Sequence, residues 1–399
     1  MIKYFENKKI VIGVTGSIAA YKSVDIASQL TQSGAIVDVI MTEKATKFVS
    51  PLSFQAITHR KVVVDLYDPA SDMGMDHLVL ANQADLFVVA PATANIVSKT
   101  ALGISDNSLT ATLLATEAPI LICPAMDGDM FHKPQVKSNL EKLTEYGFYV
   151  LGPDEGRLAS GKVGKGRLVE ISEILDMCRY ILGIHGDYKG KNIVVTSGGT
   201  REHIDPVRYI SNNSSGKMGN FIAEAARDRG AFVQLVSSSI ASKGSPGIEL
   251  KKVKTAEEML QSVEIASTSA DALIMAAAVS DWKPSDVSQQ KLKKDGRKEI
   301  SIEMVQSSDI LSTVLKPGLI KIGFAAETQD IIENALEKLN SKGLDLIVAN
   351  DISDESIGFE SDYNSVTIID KNGNTKQVDR SLKYEVANLI LDEVLNLLV

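Results

Sequence analysis

The stretch Lys9-Ile-Val-Ile-Gly-Val-Thr-Gly-Ser17 decides the fold, because its pattern returns as Asn192-Ile-Val-Val-Thr-Ser-Gly-Gly-Thr200. Each is a β-branched run entering a Gly-rich turn, with helical spacing after it. A strand, a turn and a helix in that order begin a βαβ unit, so two such starts predict an α/β chain of two tandem doubly wound, Rossmann-like domains. After the first start, Ile18 to Gln32 places Tyr21, Val24, Ala27 and Leu30 at helical spacing, Gly34 stops the helix, and Ile36 to Met41 is the next strand. Apolar runs at Leu86 to Ala90 and Ile120 to Cys123 continue the alternation. After the second start, strands are expected at Ile193 to Thr196, Val233 to Val236, Ala272 to Ala276, Ile320 to Phe324 and Leu346 to Val348. A hairpin from Val366 to Val378 turns at Asn372-Gly373, and a terminal helix runs from Leu382 to Leu398. Ile171 to Leu182 reads as the last helix of the first half and Gly183 to Gly190 as a linker, which puts the domains at residues 1–188 and 189–399.

At 399 residues, 44% hydrophobic and 23% charged, the composition is that of a globular chain of two or three domains. No apolar run approaches the roughly 18 residues that span a membrane, and the first residues lack the core of a signal peptide, so a cytoplasmic protein with no membrane partner is expected. Two cysteines, Cys123 and Cys178, are too few for a disulfide framework. A net charge of −9 without a basic face disfavours nucleic acid as a partner. Five histidines lie scattered, with no pair at metal-ligand spacing.

Ser211-Asn-Asn-Ser-Ser-Gly-Lys-Met-Gly219 resembles the end of a P-loop but fails it at both ends, where Ser211 and Met218 stand for Gly and Ser/Thr. A loop rich in hydroxyls and backbone N–H groups, with one lysine, still suits an anion. Neither Gly-rich turn is a G-x-G-x-x-G. Gly16-Ser17 opens a helix, which suits a phosphate as readily as a plain tight turn. His77 begins a helix that leads to the strand before Ala92, an address for a general base, although a single histidine is more often a core or surface residue than a catalyst. Pro124 to Asp127 and Ala276 to Trp282 both follow strands, at the ends where this architecture binds ligands; an ordinary turn and a helix N-cap at Asp281 are the plain alternatives. Gly323 to Thr328 repeats the design, with Phe324 available to stack on a base or to pack in the core. Lys338 and Lys342 share one face of a helix from Asp330 to Lys342. Gly156 to Arg167 reads as a solvated hairpin sooner than as a clamp, and Lys283 to Lys298 as a basic loop or a flap over phosphates.

Taken together these pieces resemble the bifunctional coenzyme A biosynthesis family, in which phosphopantothenoylcysteine decarboxylase is fused to phosphopantothenate–cysteine ligase. The likeness covers essentially the whole chain, and Thr196 to Gly219 carries the ligase signature. It implies that the C-terminal half joins 4′-phosphopantothenate to cysteine with CTP and Mg2+, through an acyl-cytidylate. By that likeness Lys291 serves activation, and Arg208 and Asn212 turn over the acyl-cytidylate. Ala277, Asp281, Lys291, Phe324, Lys338 and Lys342 hold CTP, along with Ser307, Ser308, Asp309 and Ile310, where the family commonly reads Asn-Pro-Asp.

The N-terminal half is similar to FMN-dependent cysteine decarboxylases. The likeness assigns Gly16, Ser17, Ile18 and Thr42 to the FMN phosphate end, and Ala92, Thr93, Ala94, Asn95 and Ala125 to the flavin. His77 matches the active-site histidine. Two positions depart from the family. Asp127 replaces the Asn that donates to the substrate carboxylate, and Ser160 replaces the Cys that protonates the product. Cys178, in the following helix, does not stand in for it. These departures leave one alternative to the full bifunctional enzyme, a ligase with an impaired decarboxylase half; a second, a regulatory flavoprotein that binds a partner protein, is implied by the roles of some relatives of the decarboxylase fold. The resemblance also implies a homo-oligomer, with trimers or a dodecamer of the flavin half and dimers of the ligase half.

Overall fold

The computed structural model describes residues 2–66, 76–240, 242, 244–293, 299–327, 331–351 and 361–398. Contacts divide the chain into two compact units, Met1–Leu182 and Gly183–Val399.

The first unit holds a sheet of β1 (Lys9–Val14), β2 (Ile36–Met41), β3 (Val62–Val63), β4 (Leu86–Ala92), β5 (Ile120–Pro124) and β6 (Tyr149–Val150). Their order is β3-β2-β1-β4-β5-β6, parallel throughout. Helices α1 (Lys22–Gln32), α2 (Pro51–Thr58), α3 (Asp76–Gln83), α4 (Ala94–Ala101), α5 (Ser108–Ala115), α6 (Gly128–Phe131), α7 (Pro134–Glu145) and α8 (Ile171–Gly183) surround it. A parallel sheet covered on both faces must be apolar on both, and successive residues of β1 go to opposite sides. Ile10, Ile12 and Val14 pack with Ile26 and Leu30 of α1 and Ile174 and Cys178 of α8, whereas Val11 packs with α4, α5 and α7. The expected helix from Ile18 starts later: Ile18–Tyr21 is a 3-10 turn capped by Ser17, and α1 follows it. Gly156 to Arg167 belongs to an antiparallel hairpin of β7 (Asp154–Arg157) and β8 (Val163–Arg167).

In the second unit the strands are β9 (Asn192–Ser197), β10 (Arg201–His203), β11 (Tyr209–Ser211), β12 (Phe232–Ser237), β13 (Ile248–Lys252), β14 (Ala272–Met275), β15 (Trp282–Pro284), β16 (Met304–Gln306), β17 (Ile320–Glu327), β18 (Leu346–Asp351), β19 (Tyr363–Asp370) and β20 (Thr375–Leu382). The main sheet runs β13-β12-β9-β14-β17-β18-β19-β20, with only β19 and β20 antiparallel to their neighbours. The helices are α9 (Lys217–Asp228), α10 (Ala256–Ser267), α11 (Ile310–Thr313), α12 (Ile331–Lys342) and α13 (Lys383–Leu397). Ile193 and Val195 of β9 meet α9 and α13, and Val194 meets α10 on the other face. Asp330, the expected first residue of α12, lies outside the described residues, as do Thr328 and residues 294–298 of the basic loop.

One expectation changes. The segment from Gly183 to Gly190, read as a linker, is built into the second unit. Tyr188 is fully buried and donates its hydroxyl to the Leu391 carbonyl and its N–H to Arg229 O at 2.8 Å. Arg229 stacks over the Tyr188 ring and pairs with Asp187 and Asp392. Six polar or small residues around one tyrosine read as slack in the sequence, but an aromatic side chain that fills a core position fixes them.

Candidate functional site

In both units the strand order reverses beside the first strand, the address at which this architecture binds ligands. In the first unit this lies between β1 and β4. Thr15, buried just beyond β1, donates Oγ1 to Pro91 O at 2.7 Å and accepts the Thr93 N–H at 3.2 Å, which staples the two strand ends. Ser17 caps the 3-10 turn by accepting from Ala19 N at 3.3 Å, and Ile18 beyond it is 61% exposed. A Cβ on Gly16 would lie 2.7 Å from Lys44 Cβ, so only glycine lets the turn approach the chain after β2 this closely. Thr42, on that chain, donates its N–H to Val14 O at 3.0 Å. Ala92 and Ala125 close the ends of β4 and β5, joined by Ala125 N to Ala92 O at 3.0 Å. Thr93 is the N-cap of α4 and makes no side-chain capping bond; Ala94 and the exposed Asn95 follow it. The residues expected at a flavin therefore lie at the C-terminal ends of β1, β2, β4 and β5, or on the turns and helix starts that follow them. Small side chains and hydroxyls in that set suit a flat ring with a phosphate tail.

His77 is the second residue of α3, which packs on α5. Its Nδ1 is buried without a hydrogen-bond partner among the described residues. Asp127 is the N-cap of α6 and accepts from Asp129 N at 3.0 Å. The two departures from the family pattern meet here: a hydrogen bond from Ser160, then the Asp129 N–H, hold the Asp127 carboxyl below its ordinary range, with Lys162 adding to both. Lys162 itself pairs with Asp129 at 2.5 Å, so the tip of the β7–β8 hairpin returns to α6 through two polar contacts. Cys178 is buried in α8, and burial pushes its thiol far up, out of reach of acid–base work near neutral pH.

The crevice of the second unit lies between β9 and β14 and holds a cavity of about 770 Å³. Gly198 in the turn after β9 has φ +86°, and a Cβ there would lie 2.5 Å from Ser239 N. Its carbonyl accepts Ala278 N at 2.9 Å, while Thr196 Oγ1 accepts Ala277 N at 3.1 Å and Thr200 Oγ1 accepts Ser280 N at 3.0 Å. These bonds set the backbone from Ala276 to Asp281 as one wall. Ala277, Asp281, Phe324, Lys338 and Lys342 line the cavity with Asn212 and with Ser307, Ser308, Asp309 and Ile310. Trp282 starts β15, so Asp281 is no helix N-cap; its carbonyl accepts Ser307 N at 2.8 Å. Asp309 caps α11 and pairs with Lys342 at 3.0 Å; burial pushes its carboxyl up, but Lys342 and the Ser312 N–H outweigh this and leave it below its usual range. Two buried polar atoms of the lining, Ser307 Oγ and Asn350 Oδ1, have no hydrogen-bond partner among the described residues, as befits a wall that meets a polar ligand.

Arg208 and Lys291 do not line the cavity; a residue that the sequence did not single out holds them near each other. Asp205 is fully buried and accepts from Val207 N and Arg208 N at 2.8 Å each and from Leu292 N at 3.2 Å. Arg208 in turn donates to Leu292 O at 2.8 Å. Burial pushes the Asp205 carboxyl up, and the three N–H donors with the Arg208 charge outweigh that and hold it below its ordinary range. Two of its donors, Val207 and Arg208, are local, but its burial and its tie to Leu292 come from a segment far off in sequence. Among the described residues no group of three or more His, Cys, Asp or Glu side chains is placed to hold a metal ion.

Two doubly wound units in tandem, one with small residues at its strand ends and the next with a lysine-lined cavity, define an α/β protein of two Rossmann-like domains. The flavoprotein family matches residues 3–182, and the C-terminal domain of DNA/pantothenate metabolism flavoproteins matches residues 188–398. The chain belongs to the family of coenzyme A biosynthesis bifunctional proteins. It is 42% identical over 394 residues to the coenzyme A biosynthesis bifunctional protein CoaBC of Bacillus subtilis (strain 168), covering 97% of each chain. To CoaBC of Escherichia coli (strain K12) it is 40% identical over 394 residues, covering 97% of this chain and 96% of that one. The crystal structure of a CoaBC C-terminal domain shares 37% identity with it, over 53% of this chain and 98% of that one, at a TM-score of 0.46.

Proposed function

We infer that the two units carry out consecutive steps on one substrate. The chain is a bifunctional enzyme of coenzyme A biosynthesis, a phosphopantothenate–cysteine ligase in its second unit and a phosphopantothenoylcysteine decarboxylase in its first. The observation that carries the reading is the second-unit cavity, where lysines, a small-residue strand end and one aromatic ring surround a single space. Phe324 takes the base of CTP, Asp281 its sugar, and Lys338 and Lys342 its phosphates. The carboxylate of 4′-phosphopantothenate attacks the α-phosphorus, pyrophosphate leaves, and the cysteine amine then displaces CMP from the acyl carbon. Lys291 offsets charge on the phosphorus in the first step, and Arg208 and Asn212 serve the second. Mg2+, when bound with CTP, would offset the charge of its phosphates.

In the first unit Gly16, Ser17, Ile18 and Thr42 hold the phosphate end of FMN, and Ala92, Thr93, Ala94, Asn95 and Ala125 leave room for its ring. FMN, when bound, supplies the electron acceptor and donor that make loss of carbon dioxide feasible. His77 moves a proton, and Asp127 with Ser160 faces the substrate carboxylate and the final protonation. A second reading, a ligase whose decarboxylase half is impaired, rests on Asp127 being held ionised, since a carboxylate repels the substrate's own. Assembly is proposed as trimers of the flavin unit and dimers of the ligase unit, and a monomer by sedimentation would overturn it. The test is mass spectrometry of products from 4′-phosphopantothenate, cysteine, CTP and Mg2+. Phosphopantetheine with CMP is expected. Phosphopantothenoylcysteine that accumulates with CMP selects the second reading, and no CMP overturns the ligase assignment.

A further inference from the structure

The cavity of the second unit carries a cation that the reading above leaves unused. Lys383, the first residue of α13, is only 3% exposed, yet it lines the cavity together with Lys217, the first residue of α9. Both positions are unusual for lysine. The first turn of a helix presents N–H groups and the positive end of the macrodipole, which disfavours a cation, and burial disfavours the Lys383 ammonium further. In keeping with this, burial first, then Lys217, lowers the Lys383 ammonium to about 8, with Asp362 partly offsetting them. The charge is retained at a place that costs stability, which is the mark of a functional position.

The two lysines also approach from a different side than the pair already assigned. α9 and α13 pack on the face of the sheet that carries Ile193 and Val195, whereas α12, which carries Lys338 and Lys342, packs on the other. The cavity is thus bracketed by cations from both faces at the strand ends. Asn350 and Asn364, from β18 and β19, line it as well, and they are neutral. Asp362 is held by Lys217 at 2.7 Å, and Asp309 of the lining pairs with Lys342 of α12 at 3.0 Å.

We propose that Lys217 and Lys383, together with Asn350 and Asn364, form a second phosphate-binding subsite of this cavity, distinct from Lys338 and Lys342. Its ligand is a phosphoryl oxyanion, which the reaction supplies from two sources: the phosphate chain of the nucleotide and the phosphate ester of the acid substrate. The proposal rests on the functional reading for those sources, but not for the binding itself.

The test therefore begins without catalysis. Titration calorimetry of the full chain with inorganic phosphate and with pyrophosphate is compared between the parent, Lys383→Met and Lys217→Met. The second variant, at a more exposed position, guards against a folding defect in the first. Losing one ammonium from the subsite is expected to weaken binding by about 10–100-fold. Unchanged binding in both folded variants overturns the proposal, whatever the chain is found to catalyse. Steady-state kinetics then separates the sources. A raised KM for CTP alone assigns the nucleotide's phosphate chain, and a raised KM for the phosphorylated acid alone assigns its ester. If KM is unmoved for both in both variants, the subsite plays no part in substrate binding and the proposal falls.

Discussion

The two crevices share one topology and differ in lining. Renumbered within its own unit, each sheet begins with the order 3-2-1-4-5-6, and each has its ligand crevice between the first and fourth strands. At the first, Thr15 staples the strand ends and the wall is alanine, threonine and glycine. At the second, four lysines surround the space. Topology chooses where a ligand sits, and the residues one or two places beyond the strand ends choose which ligand. A flat ring needs absent side chains; a polyanion needs cations from several directions.

The sharpest way to break this contrast is to silence one crevice alone. Lys291→Ala is expected to lower CMP formation by about 10²–10³-fold while the flavin absorbance of the same preparation stays unchanged. A parallel loss of flavin would mean that the two sites are not separable. Next in size is Asp205→Ala, which frees Arg208 and the Lys291 loop from their shared anchor; about a 10²-fold fall in ligase turnover is expected, with Asp205→Asn partly retaining it. The converse experiment is Gly16→Ala. The new Cβ meets Lys44, costs roughly 1–3 kcal/mol, and is read as lower flavin occupancy with normal CMP release. The smallest effect is a gain: Lys383→Met should stabilise the protein by about 0.5–2 kcal/mol near neutral pH. The sign follows from linkage. With its folded value lowered to about 8 against an unfolded value near 10.5, the lysine costs most where it is charged, below pH 8. The advantage of methionine in thermal melts should shrink as pH rises from 8 to 10.5, and an advantage that grows with pH would refute the burial account.

How much of this was legible follows the reach of the causes. Strands buried on both faces, such as β1, β9 and β14, announce themselves as apolar runs between turns, and their order then follows from the handedness of βαβ units. The turn at Asn372-Gly373 was equally plain, since local chemistry sets it. Short pairs such as β10–β11 and β15–β16 run three residues each and show no period at all. Edge strand β13 hid behind its charges, Glu249, Lys251 and Lys252. At the candidate sites, the loops that follow strands could be placed at the strand ends from the sequence alone. Asp205 and Lys383 were not singled out: Lys383 owes its setting to burial, and Asp205 joins two local N–H donors to a third from Leu292, far along the chain. Ser160 and Asp127 were each noticed as departures, but only the folded hairpin brings one to the other.

The sheet edges add a last consequence. In the first unit the edge strands β3 and β6 are two residues long, while in the second the edges β13 and β20 are longer and studded with charge, among them Lys251, Lys252, Lys376 and Arg380. A bare edge invites pairing with another chain, so brevity guards one sheet and electrostatic repulsion the other. At high ionic strength only the second guard is screened. Aggregation of concentrated protein in strong salt should therefore begin at the ligase unit, and replacing Lys251 and Lys252 with valine should bring it on in ordinary buffer.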